Sequence, residues 1–183
     1  ERKELTAQAT DDAITQIEET NALERPVLVV YLKDCHESVA GIVAGRIREK
    51  YYRPAYILTD GEKGLKGSGR SIPGYHMQQA LQNCQELLTE FGGHALAAGF
   101  SLPKENLGKF RETLNEQCGL SDEQLARLRL LAEDKPYHQC VKMFLEAEEE
   151  LTEKESTADE DMWAKLKRFS ETYKKLRRQT MDI

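Results

Sequence analysis

The chain has 183 residues, 39% of them hydrophobic and 32% charged, which suffices for one domain or two small ones around a core. Its formal net charge of −6, from 26 Lys/Arg against 32 Asp/Glu, excludes a uniformly basic nucleic-acid coat but leaves room for a local basic groove. No apolar run approaches the roughly 18 residues of a membrane span, the N-terminal ERKELTAQATDDAITQ has no apolar signal-peptide core, and four scattered cysteines (Cys35, Cys84, Cys118, Cys140) without a CxxC pair predict a reducing, cytoplasmic setting.

The chain opens on Glu1 rather than Met, which predicts an excised or processed piece. Residues 1–25 predict a connector helix: Leu5, Ala9, Ala13 and Ile17 recur every four residues as a thin apolar stripe, and Pro26 stops it. Val27–Leu32 (VLVVYL) is a continuous β-branched run, the pattern of a buried strand. Ser38–Tyr51 predicts a helix with Val39, Ile42, Val43 and Ile47 on one face, and Gly41 and Gly45 on a neighbouring line that permits close backbone packing. Ala55–Thr59 (AYILT) is a second buried strand. Leu65–Ser71 follows the turn DGEKG; with Gly64, Gly67 and Gly69 it is a poor ordinary strand but suits one that something approaches closely. Met77, Ala80, Leu81, Cys84, Leu87, Leu88 and Phe91 predict one amphipathic helix ending at Gly92-Gly93. A short strand, Ala97–Leu102, precedes Pro103, placed as the first residue of a helix carrying Leu107, Phe110 and Leu114. The fold class is therefore α/β, a compact mixed-sheet domain over residues 26–118.

Residues 119–183 predict a charged helical extension. Ser121 and Gln124 form a capping box before Leu125, Leu128 and Leu131. Pro136 opens another helix with Val141, Phe144 and Leu145. Met162, Leu166, Phe169, Tyr173 and Leu176 form a short heptad seam suited to a protein partner. Charge is segregated: residues 46–70 hold seven Lys/Arg against three Asp/Glu, residues 142–161 two against nine, and residues 162–183 seven against two. The acidic run Glu146–Glu150 reads as a solvated helix face rather than a metal site.

Three segments carry possible chemistry. Gly64–Gly74 (GLKGSGRSIPG) reads as a phosphate cradle: glycine backbone lets a ligand near, Ser68 offers a hydroxyl, Arg70 a planar fork and Lys66 a point charge. It lacks the Gly-Lys-Ser/Thr of a Walker A loop, and a Gly-rich hairpin with a surface arginine is the plain alternative. Phe91–Phe100 (FGGHALAAGF) sets His94 at a bend beside open amides, suited to a phosphate oxygen; a helix cap followed by a surface histidine is the alternative. Lys33–Arg46 (KDCHESVAGIVAGR) joins a strand end to a helix, where α/β folds place ligands. A thiol nucleophile or zinc site at Cys35-His36 is disfavoured, because no second spaced pair accompanies it.

Together and in this order, DCHESVAGIVAGRI, LKGSGRSIPGYHM and FGGHALAAGFSLP resemble the DHH-associated, substrate-binding domain of the RecJ family of single-stranded-DNA-specific exonucleases. Residues 1–23 resemble the end of the helix that links the two catalytic-core domains in that family. The resemblance implies a partner DHH catalytic domain that holds Mn2+ or Mg2+, hydrolyses the strand 5′→3′ to mononucleotides, and acts in DNA repair and recombination. No Asp-His-His triplet occurs here, so the chain is expected to lack that metal site, to need no cofactor of its own, and to be inactive alone. The resemblance assigns Ser68, Gly69 and Arg70 to phosphate binding, Gly92, Gly93 and His94 to the same cleft, and Arg46 to a backbone contact. Many family members have Trp where this chain has Cys35. The alternatives are a domain of an oligoribonuclease or cyclic-dinucleotide phosphodiesterase, a relative of the C-terminal domain of alanyl-tRNA synthetase, and an inert protein-interaction module; GSGRSIPGYH favours the RecJ reading over the first two.

Overall fold

The computed structural model describes residues 2–133, and residues up to Ala126 form one compact unit. Cys140, the helix opened by Pro136, the acidic run and the heptad seam lie outside the described residues. The elements are helix α1 (Arg2–Glu19), strand β1 (Leu28–Tyr31), helix α2 (Glu37–Tyr51), strands β2 (Ala55–Gly61) and β3 (Gly64–Arg70), helix α3 (Met77–Asn83), strands β4 (Glu90–Gly93) and β5 (Ala97–Leu102), and helices α4 (Leu107–Glu116) and α5 (Asp122–Glu133). The strands form one mixed sheet in the order β1-β2-β3-β5-β4; β1 and β2 are parallel and all other pairs antiparallel.

Side chains alternate between two faces of this sheet. On one, Leu28, Val30, Ala55 and Ile57 meet Val39, Ala40, Val43, Ala44 and Ile47 of α2, with Ala9, Ala13 and Ile17 of α1 packed behind. On the other, Tyr56, Phe100 and Phe110 form an aromatic cluster with centroids 5.1–5.9 Å apart. Helix α1 is thus part of the core layer. Its stripe differs from the predicted one at Leu5, which is 51% exposed while Thr6 is buried. A step of four advances about 400° around a helix, so a strict i+4 line drifts off the contact face.

Two predicted elements change. The helix expected over residues 77–91 stops at Asn83; a 3₁₀ turn (Gln85–Leu87) follows, and Glu90–Gly93 is an edge strand paired with β5. Gly92 and Gly93 therefore do not end a helix. Pro103 precedes a 3₁₀ turn (Lys104–Asn106), and α4 begins only at Leu107. The capping box is formed: the Ser121 backbone N–H donates to Gln124 Oε1 at 2.9 Å, and the Gln124 N–H to Ser121 Oγ at 3.2 Å.

Candidate nucleic-acid interface

The glycines of β3 answer a packing demand. A Cβ at Gly67 would lie 2.2 Å from the tip of the Phe100 ring; one at Gly69 would lie 2.5 Å from the Met77 sulfur and 3.1 Å from the Tyr56 ring. Both face the aromatic layer. The strand is paired along its whole length with β2 and β5, so its amides are committed to the ladder. The expected cradle of free glycine amides is therefore absent, and Gly69 turns away from any ligand on the face of Ser68.

The residues between these glycines emerge on the opposite face, beside α2. Pairing aligns Ile57, Ser68, Gly99 and Gly92 across four strands, flanked by the rows Thr59-Lys66-Ser101-Glu90 and Ala55-Arg70-Ala97. Beyond the edge of α2 the middle row holds nothing larger than serine. A Cβ at Gly92 would meet nothing within 4 Å, and one at Gly99 only the Gly67 carbonyl at 4.0 Å. The result is an open cleft of about 370 Å³, lined by Glu37, Ser38 and Ala40 of α2 and by Lys66, Ser68, Gly99 and Ser101 of the sheet.

Arg70 is half-buried at one end of this face. Its Nη1 donates to the Gly69 carbonyl at 2.8 Å, and its guanidinium lies against Gly41, where a Cβ would stand 2.9 Å from Nη2. Gly41 thus makes room for a side chain rather than for a backbone. Among the described residues no carboxylate pairs with Arg70. Lys66 Nζ bridges to Glu37 Oε2 at 2.9 Å, which lowers the Glu37 pKa and raises that of Lys66. The N-terminus of α2 is capped by His36, whose Nδ1 accepts from the Ser38 N–H at 3.2 Å and lies 2.8 Å from Ser38 Oγ.

His94 is exposed in the β4–β5 turn; its N–H donates to the Ala97 carbonyl at 2.9 Å, and its Nδ1 accepts from the Leu96 N–H at 3.4 Å. Ala97 pairs on its other side with Arg70, so His94 and Arg70 stand at the same end of the sheet, one strand apart. Gly93 has φ +147°, and a Cβ there would sit 2.4 Å from the Ala97 carbonyl oxygen. Ser68, Arg70 and Gly92 therefore share one face of the sheet, with His94 at the same end as Arg70 and Gly93 shaping the turn. Arg46 is not. It lies five residues, about 140°, around α2 from Gly41, and its Nη1 reaches Thr10 Oγ1 on α1 at 3.4 Å.

The basic window 46–70 likewise disperses: Arg48 pairs with Glu49, Lys50 lies over the Tyr51 ring, and Arg53 donates to the Arg25 carbonyl. Burial, with Asp12 nearby, raises the Cys35 thiol pKa, the reverse of what a nucleophile needs. Ser38, Gly99 and Ser101 are cleft residues that sequence reasoning missed; for Gly99 and Ser101 the alternation of small residues in AAGFSL was the available signal.

A model of the DHHA1 domain matches residues 24–120, more than half of the chain, and the chain belongs to the DHHA1 domain family. Within it the likeness is to RecJ. The single-stranded-DNA-specific exonuclease RecJ of Bacillus subtilis is 40% identical over 118 residues, covering 63% of this chain and 15% of the relative. RecJ of Escherichia coli is 42% identical over 94 residues, 49% of this chain and 16% of the relative. RecJ of Thermus thermophilus, solved in complex with Mg2+, superposes with a TM-score of 0.59 at 28% identity over 66% of this chain and 18% of that one. The chain thus spans less than a fifth of each of these proteins. Among the described residues no three His, Cys, Asp or Glu side chains converge where a metal ion could be held, so the side chains described do not fit the Mn2+ or Mg2+ that the family implies. No helix among them is long and apolar enough to cross a membrane.

Proposed function

We propose that this domain is the strand-holding part of a RecJ-like exonuclease, gripping single-stranded DNA by its phosphates on the face formed by β3, β5 and the start of α2. The observation that carries the reading is the pairing of Arg70, free of any carboxylate among the described residues and seated against Gly41, with the Ser68-Gly99-Gly92 row, which leaves room for a sugar–phosphate backbone. Arg70 supplies a planar fork to a phosphate, Ser68 a hydroxyl donor, and His94 a ring N–H at the end of the face. Phosphate contacts of this kind position a strand without reading its sequence, which suits degradation of arbitrary DNA. Hydrolysis, with 5′→3′ polarity and Mn2+ or Mg2+, falls to a companion DHH domain across the cleft, and no hydrolytic step is assigned to residues of this chain. The setting is cytoplasmic DNA repair and recombination. The RecJ relatives and GSGRSIPGYH favour this reading over a cyclic-dinucleotide phosphodiesterase.

The test is binding of a fluorescent oligothymidylate at low salt. Arg70→Ala loses a charge-assisted contact, roughly 1.5–3 kcal/mol. Arg70→Lys keeps the charge but loses the planar fork, and shows a smaller loss. If both variants stay folded and bind like the parent, the assignment of this face is wrong.

A further inference from the structure

A second cavity, of about 400 Å³, opens on the far edge of the sheet, along the outer side of β1 between α1 and α4. The peptide groups of a strand point alternately to its two sides. Leu28 and Leu32 donate inward to the carbonyls of Pro54 and Leu58, so Val29 and Tyr31 turn their backbone groups outward. Their carbonyls are engaged there: Arg111 Nε donates to that of Val29 at 3.3 Å and Gln16 Nε2 to that of Tyr31 at 3.2 Å. The backbone N–H groups of the same two residues face the cavity, and among the described residues no side chain accepts from them.

Arg25 and Arg111 line the same cavity. Among the described residues neither guanidinium has a carboxylate partner. Burial lowers the pKa of Arg111, and the charge that lowers it further is Arg25. Two like charges and two outward amides give this cavity an excess of donors over the acceptors that Gln16 and Thr20 bring to it, which an anion relieves. Ile17, Ala22, Val27 and Leu107 form the apolar part of the wall.

We propose that this cavity binds a phosphate monoester, the dianion resting on Arg25 and Arg111 and its organic group against the apolar wall. Two guanidinium charges match the dianion, whereas a diester carries one. The volume falls in the range of small-molecule sites, about 300–1,000 Å³. The site is separate from the Ser68 face, since β1 and β2 lie between them, and it does not depend on the function proposed there.

The experiment titrates methyl phosphate and dimethyl phosphate into the 183-residue chain, followed by calorimetry and by the Arg Nε–H signals in NMR. An Arg70→Ala background removes the other phosphate-facing site. At a pH well above the second phosphate pKa of about 6, methyl phosphate binds saturably and shifts the Arg111 signal, and dimethyl phosphate binds at least about tenfold more weakly. Arg25→Gln, at an exposed position, weakens methyl phosphate by at least about tenfold without lowering the thermal midpoint. The proposal fails if no saturable binding is seen up to roughly 10 mM, if the diester binds as well as the monoester, or if folded Arg25→Gln binds like its parent. The comparison of the two esters needs no variant at this site, so a poorly folded Arg25→Gln would still leave the proposal open to refutation.

Discussion

Replacing Gly41 by alanine should separate stability from binding. Gly41 lies inside α2, outside the left-handed region of φ, so alanine is compatible with its backbone. Alanine in a helix interior is favoured over glycine by about 1 kcal/mol, which for a compact unit of this size raises the thermal midpoint by roughly 3–6 °C. The new Cβ would stand 2.9 Å from Arg70 Nη2 and 3.5 Å from its Cζ. The guanidinium is the far end of a flexible side chain and gives way, lengthening its 2.8 Å bond to the Gly69 carbonyl. Arg70 is displaced rather than deleted, so part of a charge-assisted contact is lost, about 0.7–1.5 kcal/mol or three- to tenfold in affinity. Circular dichroism gives the midpoint, and anisotropy of a labelled oligothymidylate gives the affinity. Unchanged affinity in Gly41→Ala, where Arg70→Ala is weakened, would show that the pose of Arg70 against Gly41 is irrelevant to binding. A fall in stability would refute the packing argument itself.

His94→Ala should weaken strand binding with little change in thermal midpoint, because the side chain is exposed, whereas Gly93→Val should damage both, since its Cβ meets the Ala97 backbone; equal unfolding by the two would make His94 a structural residue. The salt dependence should be shallow: among the described residues Lys66 and Arg70 are the cations on the face, and they contribute a log–log slope of about −1.4 for a single strand, not the roughly −5 that all seven basic residues of the 46–70 window would give at about −0.7 each. Stability should fall at alkaline pH. Burial pushes the Cys84 thiol up to about 11, so its contribution is complete below about pH 9, where the unfolded thiol also stays neutral, and is lost as pH rises from about 9 to 11. Burial moves the Tyr56 and Tyr75 hydroxyls, 3.2 Å apart, upward as well, adding to the loss above about pH 10. A flat urea midpoint between pH 9 and 11 would contradict this linkage.

The candidate site was legible in part. Ser68, Arg70 and His94 stand out as polar residues among glycines, and the structure sets Ser68 and Arg70 on one face of the sheet, with His94 at the same end as Arg70. The reason for those glycines was not legible. GLKGSGR looks like an open loop because glycine is permissive, yet Gly67 and Gly69 are small to admit Phe100, Met77 and Tyr56, residues distant in the chain. The resemblance assigns Arg46 to a backbone contact, and the winding of α2 sends it to Thr10.

The sequence by itself determined what rests on neighbours in the chain. The runs VLVVYL and AYILT are strands because β-branched stretches between breakers favour extended, buried backbone, and Ser121 with Gln124 starts a helix because each caps the other locally. Tertiary structure decided what depends on pairing across distance. Met77–Phe91 has helical periodicity throughout, yet Glu90–Gly93 leaves the helix to cover the edge of β5, beginning where the Thr89 N–H donates to the Ser101 carbonyl at 2.8 Å. That choice also places Gly92 opposite Gly99 and completes the floor of the cleft. A helix is scored by contacts three and four residues away, whereas an edge strand is stabilised by a partner whose position is known only once the sheet exists.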